Sequence, residues 1–168
     1  ADVASRGQFS LSLRTQQKLL EAAKQKNIQS ITVHSTCNRT EIYALQTDTS
    51  VLVDLLCAHS QGDQTLFSKI GYVLTNKDAL EHLFRVGTGL DSQILGDFEI
   101  IAQLKKSFVR SKKMAVLDPL FERLFNSVIQ ASKRIKNETQ ISSGTTSVSY
   151  ASVRYILDHI ENPDQKNI

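Results

Sequence analysis

Two short segments of alternating apolar and polar residues, joined by a polar run, constrain this fold most. Residues 28–36 place Ile31 and Val33 two positions apart, and residues 41–46 repeat the alternation around a tyrosine. Helical spacing dominates the chain on both sides of them. Interleaved strands and helices pack as layers, so we predict an α+β fold. The apolar run at 70–74 is expected to add a third strand.

Most of the remaining sequence has the periodicity of helices. Asn27 is expected to end the first helix, and Asn76 to cap the third. Pro119 is expected to begin the fifth helix, because a residue in the first turn of a helix needs no amide hydrogen. Three strands among these helices suit a ferredoxin-like two-layer domain that lacks its first strand, since the residues before Ser10 supply no convincing one. The predicted helices cover residues 10–27, 51–59, 76–86, 98–113, 119–136 and 142–160.

Composition excludes several classes of protein. With 168 residues and 40% hydrophobic content, the chain is large enough to bury the core of one domain. Its apolar runs are shorter than the roughly 18 residues of a membrane span, and its first residues do not resemble a signal peptide, so we expect a cytoplasmic protein without a membrane partner. Two cysteines make neither a disulfide framework nor a zinc site, and no metal is expected.

Positive charge is concentrated in the second half. Residues 1–100 hold nine Lys and Arg against eleven Asp and Glu, whereas residues 101–168 hold eleven against six. Two basic clusters, at 105–113 and 133–136, would attract a phosphate backbone. Charge runs on helices are more often solvated faces, so this distribution alone does not establish nucleic-acid binding.

Cys37 lies in the polar run at the end of a predicted strand, where a rigid scaffold can present a side chain to a ligand. An isolated cysteine more often packs as a small hydrophobe. Here the neighbouring residues offer little apolar surface, and Arg39 supplies a positive charge that favours the nucleophilic thiolate. Cys57, by contrast, lies among the leucines of a predicted helix, and we interpret it as a core residue.

Three separated motifs carry a resemblance to a known family. They read Ser-Thr-Cys-Asn-Arg-Thr-Glu at 35–41, Gly-Leu-Asp-Ser-Gln-Ile-Leu-Gly at 89–96, and Ala-Ser-Lys-Arg-Ile at 131–135 followed by Ser-Val-Ser-Tyr-Ala at 147–151. In this order they resemble the catalytic amino-terminal part of glutamyl-tRNA reductases. The family's usual Glu-Pro-Gln after the second motif is replaced here by Asp97-Phe98-Glu99, which makes roles carried over to these positions less secure.

The resemblance implies a reaction and a set of residues. Cys37 would attack the ester of glutamyl-tRNA, and NADPH would reduce the resulting thioester to glutamate 1-semialdehyde, the first committed step of C5 tetrapyrrole biosynthesis. His82 would assist proton transfer, although a lone histidine on an apolar helix more often packs without a chemical role. Substrate contacts are expected from the residues that match the family's positions, namely Thr36, Asn38, Arg39, Ser92, Asp97, Phe98, Glu99 and Gln103.

Some of these residues have more than one interpretation. The planar guanidinium of Arg39 suits bidentate binding of the glutamate carboxylate. Thr36 and Asn38 could orient the substrate, or could equally be turn residues that satisfy the local backbone. An acidic group at Asp97 would suit the α-ammonium group of the substrate. His34, three residues before Cys37, could face either side of its strand.

The sequence lacks a Gly-x-Gly-x-x-Gly segment, so the NADPH site is expected in a further domain. We predict a catalytic domain over residues 1–140, and over 141–168 the start of a long connecting helix with a linker. The resemblance also implies glutamyl-tRNA as a partner, a homodimer in the full-length protein, and glutamate 1-semialdehyde aminomutase as a candidate partner enzyme.

Two other classes of protein remain compatible with the sequence. One is a non-catalytic RNA-binding module that uses its basic second half, with Cys37 incidental. The other is a docking domain whose amphipathic final helix forms half of an interhelical contact.

Overall fold

The computed structural model describes residues 2–92, 99–139, 141 and 148–159. Within these residues, two strands, 31–35 and 40–44, pair antiparallel, with Ile31 opposite Ala44 and Ser35 opposite Thr40. Helices and a small sheet therefore mix as the α+β prediction requires. The elements in chain order are α1 (Val3–Gly7), α2 (Leu13–Gln25), β1 (Ile31–Ser35), β2 (Thr40–Ala44), α3 (Thr49–His59), α4 (Gln64–Ile70), α5 (Asn76–Gly87), α6 (Glu99–Lys113), α7 (Pro119–Glu138) and α8 (Val148–His159).

One apolar cluster joins the sheet to α2 and α3. Helix α2 begins at the Ser12 cap, whose hydroxyl accepts from the Thr15 amide at 3.2 Å. It ends at Gln25, and Asn27 follows with φ 59°, the left-handed conformation that asparagine tolerates. The buried members of the cluster are Phe9, Leu11, Leu19, Leu20, Ala23, Ile28, Ile31, Val33, Leu55, Leu56 and Val116.

The two faces of β1 differ in chemistry. Ile31 and Val33 belong to the apolar cluster, whereas Thr32 and His34 face α6. The Ser111 hydroxyl donates to Thr32 Oγ1 at 3.1 Å, and His34 Nδ1 lies 3.4 Å from Ser107 Oγ. All four of these polar side chains are buried. The sheet therefore has an apolar core on one face and a layer of buried polar side chains, packed against α6, on the other.

His34 should make stability fall in mildly acidic solution. Burial lowers the pKa of His34 to about 4, below its ordinary 6.5, and its Nε2 has no hydrogen-bond partner. The unfolded chain therefore takes up a proton before the folded chain does, so stability present above pH 6.5 is lost as the pH falls toward 4. The loss is on the order of 3 kcal/mol. Urea unfolding at a series of pH values measures it.

A His34→Gln variant is the control for this effect. It should be less pH-dependent between pH 6.5 and 4, whatever its stability at neutral pH. An unchanged slope in that window would contradict the assignment to His34.

A second apolar cluster holds α5, α6 and α7 together. The rings of Phe108 and Phe125 stack with centroids 4.2 Å apart, and Leu83, Leu104 and Val128 complete the buried set. Helix α7 starts at Pro119, as predicted, after Asp118 accepts from the Phe121 amide at 2.7 Å. This cluster fixes α5 beside the sheet.

The predicted third strand is wrong. Ile70 ends α4, which begins after the Asp63 cap, where the carboxylate accepts from the Leu66 amide at 2.7 Å. Residues 71–75 have no regular secondary structure, and in the described part of the chain the sheet has two strands. A strand needs a paired neighbour, which an apolar sequence alone does not supply. The ferredoxin-like arrangement is therefore not seen in these residues.

Smaller differences concern helix ends. Helices α1 and α4 were not anticipated; each starts at an aspartate cap, Asp2 and Asp63. Asn76 is the first residue of α5 and not its cap, which is Thr75.

In the final helix, α8, Val153, Tyr155 and Leu157 are more than half exposed. The predicted positions 142–147 and 160 of this helix lie outside the described residues. Among the helices that the structure describes, none is both long and apolar enough to cross a bilayer.

Candidate active site

Cys37 lies in the loop that joins β1 to β2, and its side chain is exposed. The Thr36 amide donates to the Arg39 carbonyl at 2.8 Å. The Thr36 hydroxyl accepts from the amides of Asn38 and Arg39, both at 3.3 Å. These bonds close the loop and hold the thiol outward, so Cys37 does not pack as a small hydrophobe. The Thr36 side chain therefore satisfies the local backbone of the turn, which is one of the two interpretations that the sequence allowed for it.

The thiol lies at a large cleft, with a volume of about 980 Å³. Its walls come from the β1–β2 loop, β2, α3, residues 70–76 and α5. Tyr72 and His82 approach it from segments far from Cys37 in sequence. The cleft is therefore built from the tertiary fold, and several polar side chains meet there.

Arg39 is already paired within this cleft. Its Nη1 lies 3.0 Å from Asp91 Oδ2 and 3.4 Å from Glu41 Oε1, and its Nη2 donates to the Asp91 carbonyl. Although burial opposes it, the two carboxylates raise the pKa of Arg39. The positive charge beside Cys37 is thus shared with two anions. Of its two partners, Asp91 is the more accessible, with a side chain that is 40% exposed, whereas Glu41 is buried.

Glu41 is the residue at this site that sequence reasoning missed. Its carboxylate accepts from the hydroxyls of Tyr43 and Tyr72, from His82 Nε2 at 2.8 Å, and from Arg39. Burial raises the pKa of this group, but the hydrogen bonds from His82, Tyr43 and Tyr72 outweigh it and lower the pKa to about 2. The signal available in the sequence was the alternation of Glu41 and Tyr43, which share one face of β2, directly after Arg39.

His82 enters the site from α5. Besides its contact with Glu41, its Nε2 lies 3.2 Å from the Tyr72 hydroxyl, and the two rings meet edge to face with centroids 5.5 Å apart. His82 is half-buried and lines the cleft. It therefore belongs to a polar cluster and does not pack only against apolar neighbours.

Of the other residues predicted to contact a substrate, some line the cleft and some do not. Asn38 lines the cleft and is exposed. Ser92 is half-buried after α5, while Glu99 and Gln103 are exposed on α6, and these three are not among the described residues that line the cleft. Asp97 and Phe98 lie outside the described residues.

Cys57 differs from Cys37 in its surroundings. It is half-buried in α3 at the edge of the first apolar cluster. Burial raises its pKa and disfavours the thiolate. The two thiols thus differ in exposure: Cys37 is exposed in a loop, and Cys57 packs against the apolar core.

The residues present do not fit a nicotinamide dinucleotide. The sequence has no Gly-x-Gly-x-x-Gly loop, and the two described strands are antiparallel, whereas dinucleotide folds use a parallel sheet. Within residues 2–92, 99–139, 141 and 148–159, no group of three His, Cys, Asp or Glu side chains could hold a metal ion. What the cleft offers is an exposed thiol beside an ionic network.

The fold and the site define an α+β domain that presents a cysteine at a cleft where several polar side chains meet, and comparison with known proteins identifies its family. The family model described as "Glutamyl-tRNAGlu reductase, N-terminal domain" matches residues 1–139. The glutamyl-tRNA reductases of Christiangramia forsetii and Flavobacterium psychrophilum are 59% and 54% identical over all 168 residues. The solved structure of glutamyl-tRNA reductase from Methanopyrus kandleri matches 94% of the chain with a TM-score of 0.72 and 26% identity.

The chain therefore belongs to the family of glutamyl-tRNA reductase N-terminal domains. It spans only part of its relatives: 40% of the Christiangramia protein, 41% of the Flavobacterium protein and 37% of the Methanopyrus chain.

Proposed function

We propose that this chain performs the acyl-transfer half of glutamyl-tRNA reduction. The Cys37 sulfur attacks the ester carbonyl between glutamate and the tRNA 3′ end, the carbon–oxygen bond to the ribose breaks, and the 3′ oxygen leaves with a proton. A glutamyl thioester on Cys37 remains. The observation that carries the proposal is the exposed thiol at a large cleft that also holds Arg39 and His82, in a chain of this family.

A cysteine suits a reaction that ends in reduction. A thioester carbonyl is less stabilised by resonance than an oxygen ester and accepts hydride more readily, and a thiolate is a competent leaving group. Arg39, with its planar guanidinium at the cleft, is proposed to bind the glutamate side-chain carboxylate in exchange for Asp91. Binding by a cation would distinguish glutamate from glutamine.

The reduction itself is assigned outside these 168 residues, because they do not fit the dinucleotide. We propose that NADPH is bound by another part of the full-length protein, a cytoplasmic homodimer for which glutamate 1-semialdehyde aminomutase is a candidate partner. In this division, residues 1–140 form the catalytic domain and residues 141–168 begin a connecting helix. The exposed apolar side chains Val153, Tyr155 and Leu157 of α8 support a helix that continues into further contacts.

The tRNA is proposed to contact the basic surface of α6 and α7. Phosphate contacts of this kind attract RNA without reading sequence, and they weaken as salt rises. Both helices adjoin α5, which carries His82 to the cleft. The exposed basic residues of these two helices are Lys105, Lys106, Lys112, Lys113, Arg123, Lys133, Arg134 and Lys136.

The sheet is also proposed to gain a strand in the full-length protein, as the ferredoxin-like prediction requires. In the described residues β2 pairs with β1 alone, and residues 40–48 and 70–76 both line the cleft. A strand added there would cover Val73 and Leu74, which are 48% and 38% exposed. Hydrogen exchange should then be slower at residues 40–44 in the full-length protein than in the 168-residue chain, and equal rates would contradict the added strand.

The acyl transfer is tested with tRNA charged with radiolabelled glutamate. The purified 168-residue chain should retain the label after nuclease digestion of the RNA, and it should not oxidise NADPH. Glutaminyl-tRNA carrying labelled glutamine is the matched control and should leave far less label on the protein. Absence of labelled protein from glutamyl-tRNA would contradict the acyl transfer, and NADPH oxidation would contradict the division of the reaction.

A further inference from the structure

We propose that Arg6 binds the phosphate of the 3′-terminal nucleotide of the tRNA and so places the ester bond beside Cys37. This inference rests on the proposed acyl transfer and adds a contact to the RNA at the cleft itself. Arg6 and Cys37 both line the cleft, although Arg6 belongs to α1 and lies 32 residues before Asn38, whose carbonyl it contacts.

The guanidinium of Arg6 lies at the loop that carries Cys37. Its Nη1 is 3.5 Å from the carbonyl oxygen of Asn38, the residue that follows Cys37. Consecutive Cα atoms are about 3.8 Å apart, so this contact places Nη1 within roughly 10 Å of the Cys37 Cα atom. The 3′ oxygen that leaves and the 5′ phosphate of the terminal nucleotide are attached to the same ribose. A cation here can therefore hold that phosphate while the ester lies at the sulfur.

The positive charge of Arg6 has no carboxylate partner in the described part of the chain. Asp2, the N-cap of α1, is engaged elsewhere, because its carboxylate accepts from the Ser5 amide at 2.9 Å and from the Ser5 hydroxyl at 2.6 Å. Arg39, by contrast, is paired with two carboxylates. An anion can bind Arg6 without displacing a protein carboxylate, whereas at Arg39 it must replace one.

The two Nη atoms are the donors that Arg6 can offer a ligand. Its Nε is enclosed and has no hydrogen-bond partner, whereas Nη2 is neither enclosed nor hydrogen-bonded in the part of the chain that the structure describes. The bond from Nη1 to the Asn38 carbonyl is long and can be exchanged. The planar fork of an arginine matches two oxygens of a phosphate.

The backbone next to Arg6 is fixed before any substrate binds. The Gln8 carbonyl accepts from two amides of the α3–α4 loop, at 2.9 and 3.0 Å. The Leu11 amide donates to Ser35 Oγ at 3.0 Å, and Ser35 is the last residue of β1, just before the Cys37 loop. Less ordering is then needed on binding, which favours affinity.

A phosphate suits Arg6 better than the glutamate side chain does. The ester carbonyl lies between the glutamyl group and the ribose, so a substrate held by Arg39 at its carboxylate directs its ribose to another part of the cleft. Arg6 reaches the loop from α1, whereas Arg39 is held by Asp91, which follows α5. The two guanidiniums thus suit the two ends of the reacting unit.

NMR spectra of the arginine side chains test the contact without the reaction. Because the Nε of Arg6 is buried, its proton should exchange slowly with water and give a visible signal, which Arg6→Gln assigns by removing it. Adenosine 5′-methylphosphate carries the single charge of an RNA phosphate and should shift this signal. Adenosine at the same concentration should not.

Kinetics with two small esters test the consequence for the reaction. Glutamate esterified to the 3′ oxygen of adenosine 5′-methylphosphate should acylate Cys37 about 30-fold faster than the same ester of adenosine, the factor that one charged hydrogen bond supplies. Arg6→Gln should remove this preference by slowing the first ester alone. Arg14→Gln makes the same exchange at an exposed residue of α2, which is not among the described residues that line the cleft, and should change neither rate.

The other outcomes contradict the proposal. If Arg6→Gln slowed both esters equally, Arg6 would bind the glutamyl group or hold the loop, and if it slowed neither, Arg6 would have no part in binding. Equal rates for the two esters in the unsubstituted chain would also overturn it, even where Arg6→Gln fails to fold. If the unsubstituted chain takes no glutamate from glutamyl-tRNA, the proposed function fails, while the NMR titration still decides whether Arg6 binds the phosphate.

Discussion

The Cys37→Ser variant should transfer glutamate from its tRNA at least about 10⁴-fold more slowly than the unsubstituted chain, the scale on which enzymes lose rate with their nucleophile. A serine hydroxyl stays protonated near neutral pH, whereas a thiol supplies some thiolate. The fold should not change, because Cys37 is an exposed loop residue and the bonds that close its loop come from Thr36. Single-turnover transfer of labelled glutamate measures the effect.

Cys57→Ser is the control for this prediction. Cys57 is half-buried in α3 and does not line the cleft among the described residues, so its loss should leave the transfer rate unchanged. If Cys37→Ser transferred glutamate normally, the enzymatic account would be wrong. Intact RNA binding together with no thiol-dependent activity would favour an RNA-binding module, and self-association without RNA affinity would favour a docking domain.

Arg39→Lys should lower kcat/KM for glutamyl-tRNA by about 30-fold. Lysine keeps the charge but cannot make two parallel hydrogen bonds to a carboxylate. A charged hydrogen bond is worth on the order of 2 kcal/mol, which corresponds to that factor. The change should appear mainly in KM, because binding of the unreactive end of the substrate is lost. Steady-state reduction of glutamyl-tRNA by the full-length protein, at varied glutamyl-tRNA concentration, measures it.

Two further variants define what Arg39 does. Arg85→Lys makes the same exchange at an exposed position of α5 and should have no effect on KM. Asp91→Asn weakens the competing ion pair at 3.0 Å and should lower KM. If Asp91→Asn raised KM and Arg39→Lys left it unchanged, Arg39 would be only a structural partner of Asp91.

The sequence predicted those parts of the fold that depend on local residues. The amphipathic periods of α2, α5, α6 and α7 gave their positions to within a few residues, because a helix satisfies its own backbone. The third strand was wrong because strand formation depends on a distant neighbour. The side to which His34 points was open for a similar reason: it is set by α6, whose Ser107 lies 73 residues away.

In the candidate site, too, the sequence predicted the features that depend on neighbouring residues and missed those that depend on distant ones. The placement of Cys37 in a polar loop was visible, since its surroundings are its own neighbours in sequence. The hydrogen-bond network around Glu41 was not visible, because Tyr72 and His82 reach it from 31 and 41 residues away. The pairing of Arg39 with Asp91, across 52 residues, was hidden for the same reason. Carrying over Ser92, Glu99 and Gln103 from a resemblance stays a prediction.

The central claim is that the Cys37 sulfur becomes the glutamyl carrier. The most direct measurement is mass spectrometry of peptides from the chain after brief reaction with glutamyl-tRNA and acid quenching. We expect one glutamyl group on the peptide that contains Cys37, and neutral hydroxylamine should remove it, as it removes thioesters. A glutamyl group on the Cys57 peptide instead, or one that resists hydroxylamine, would contradict it.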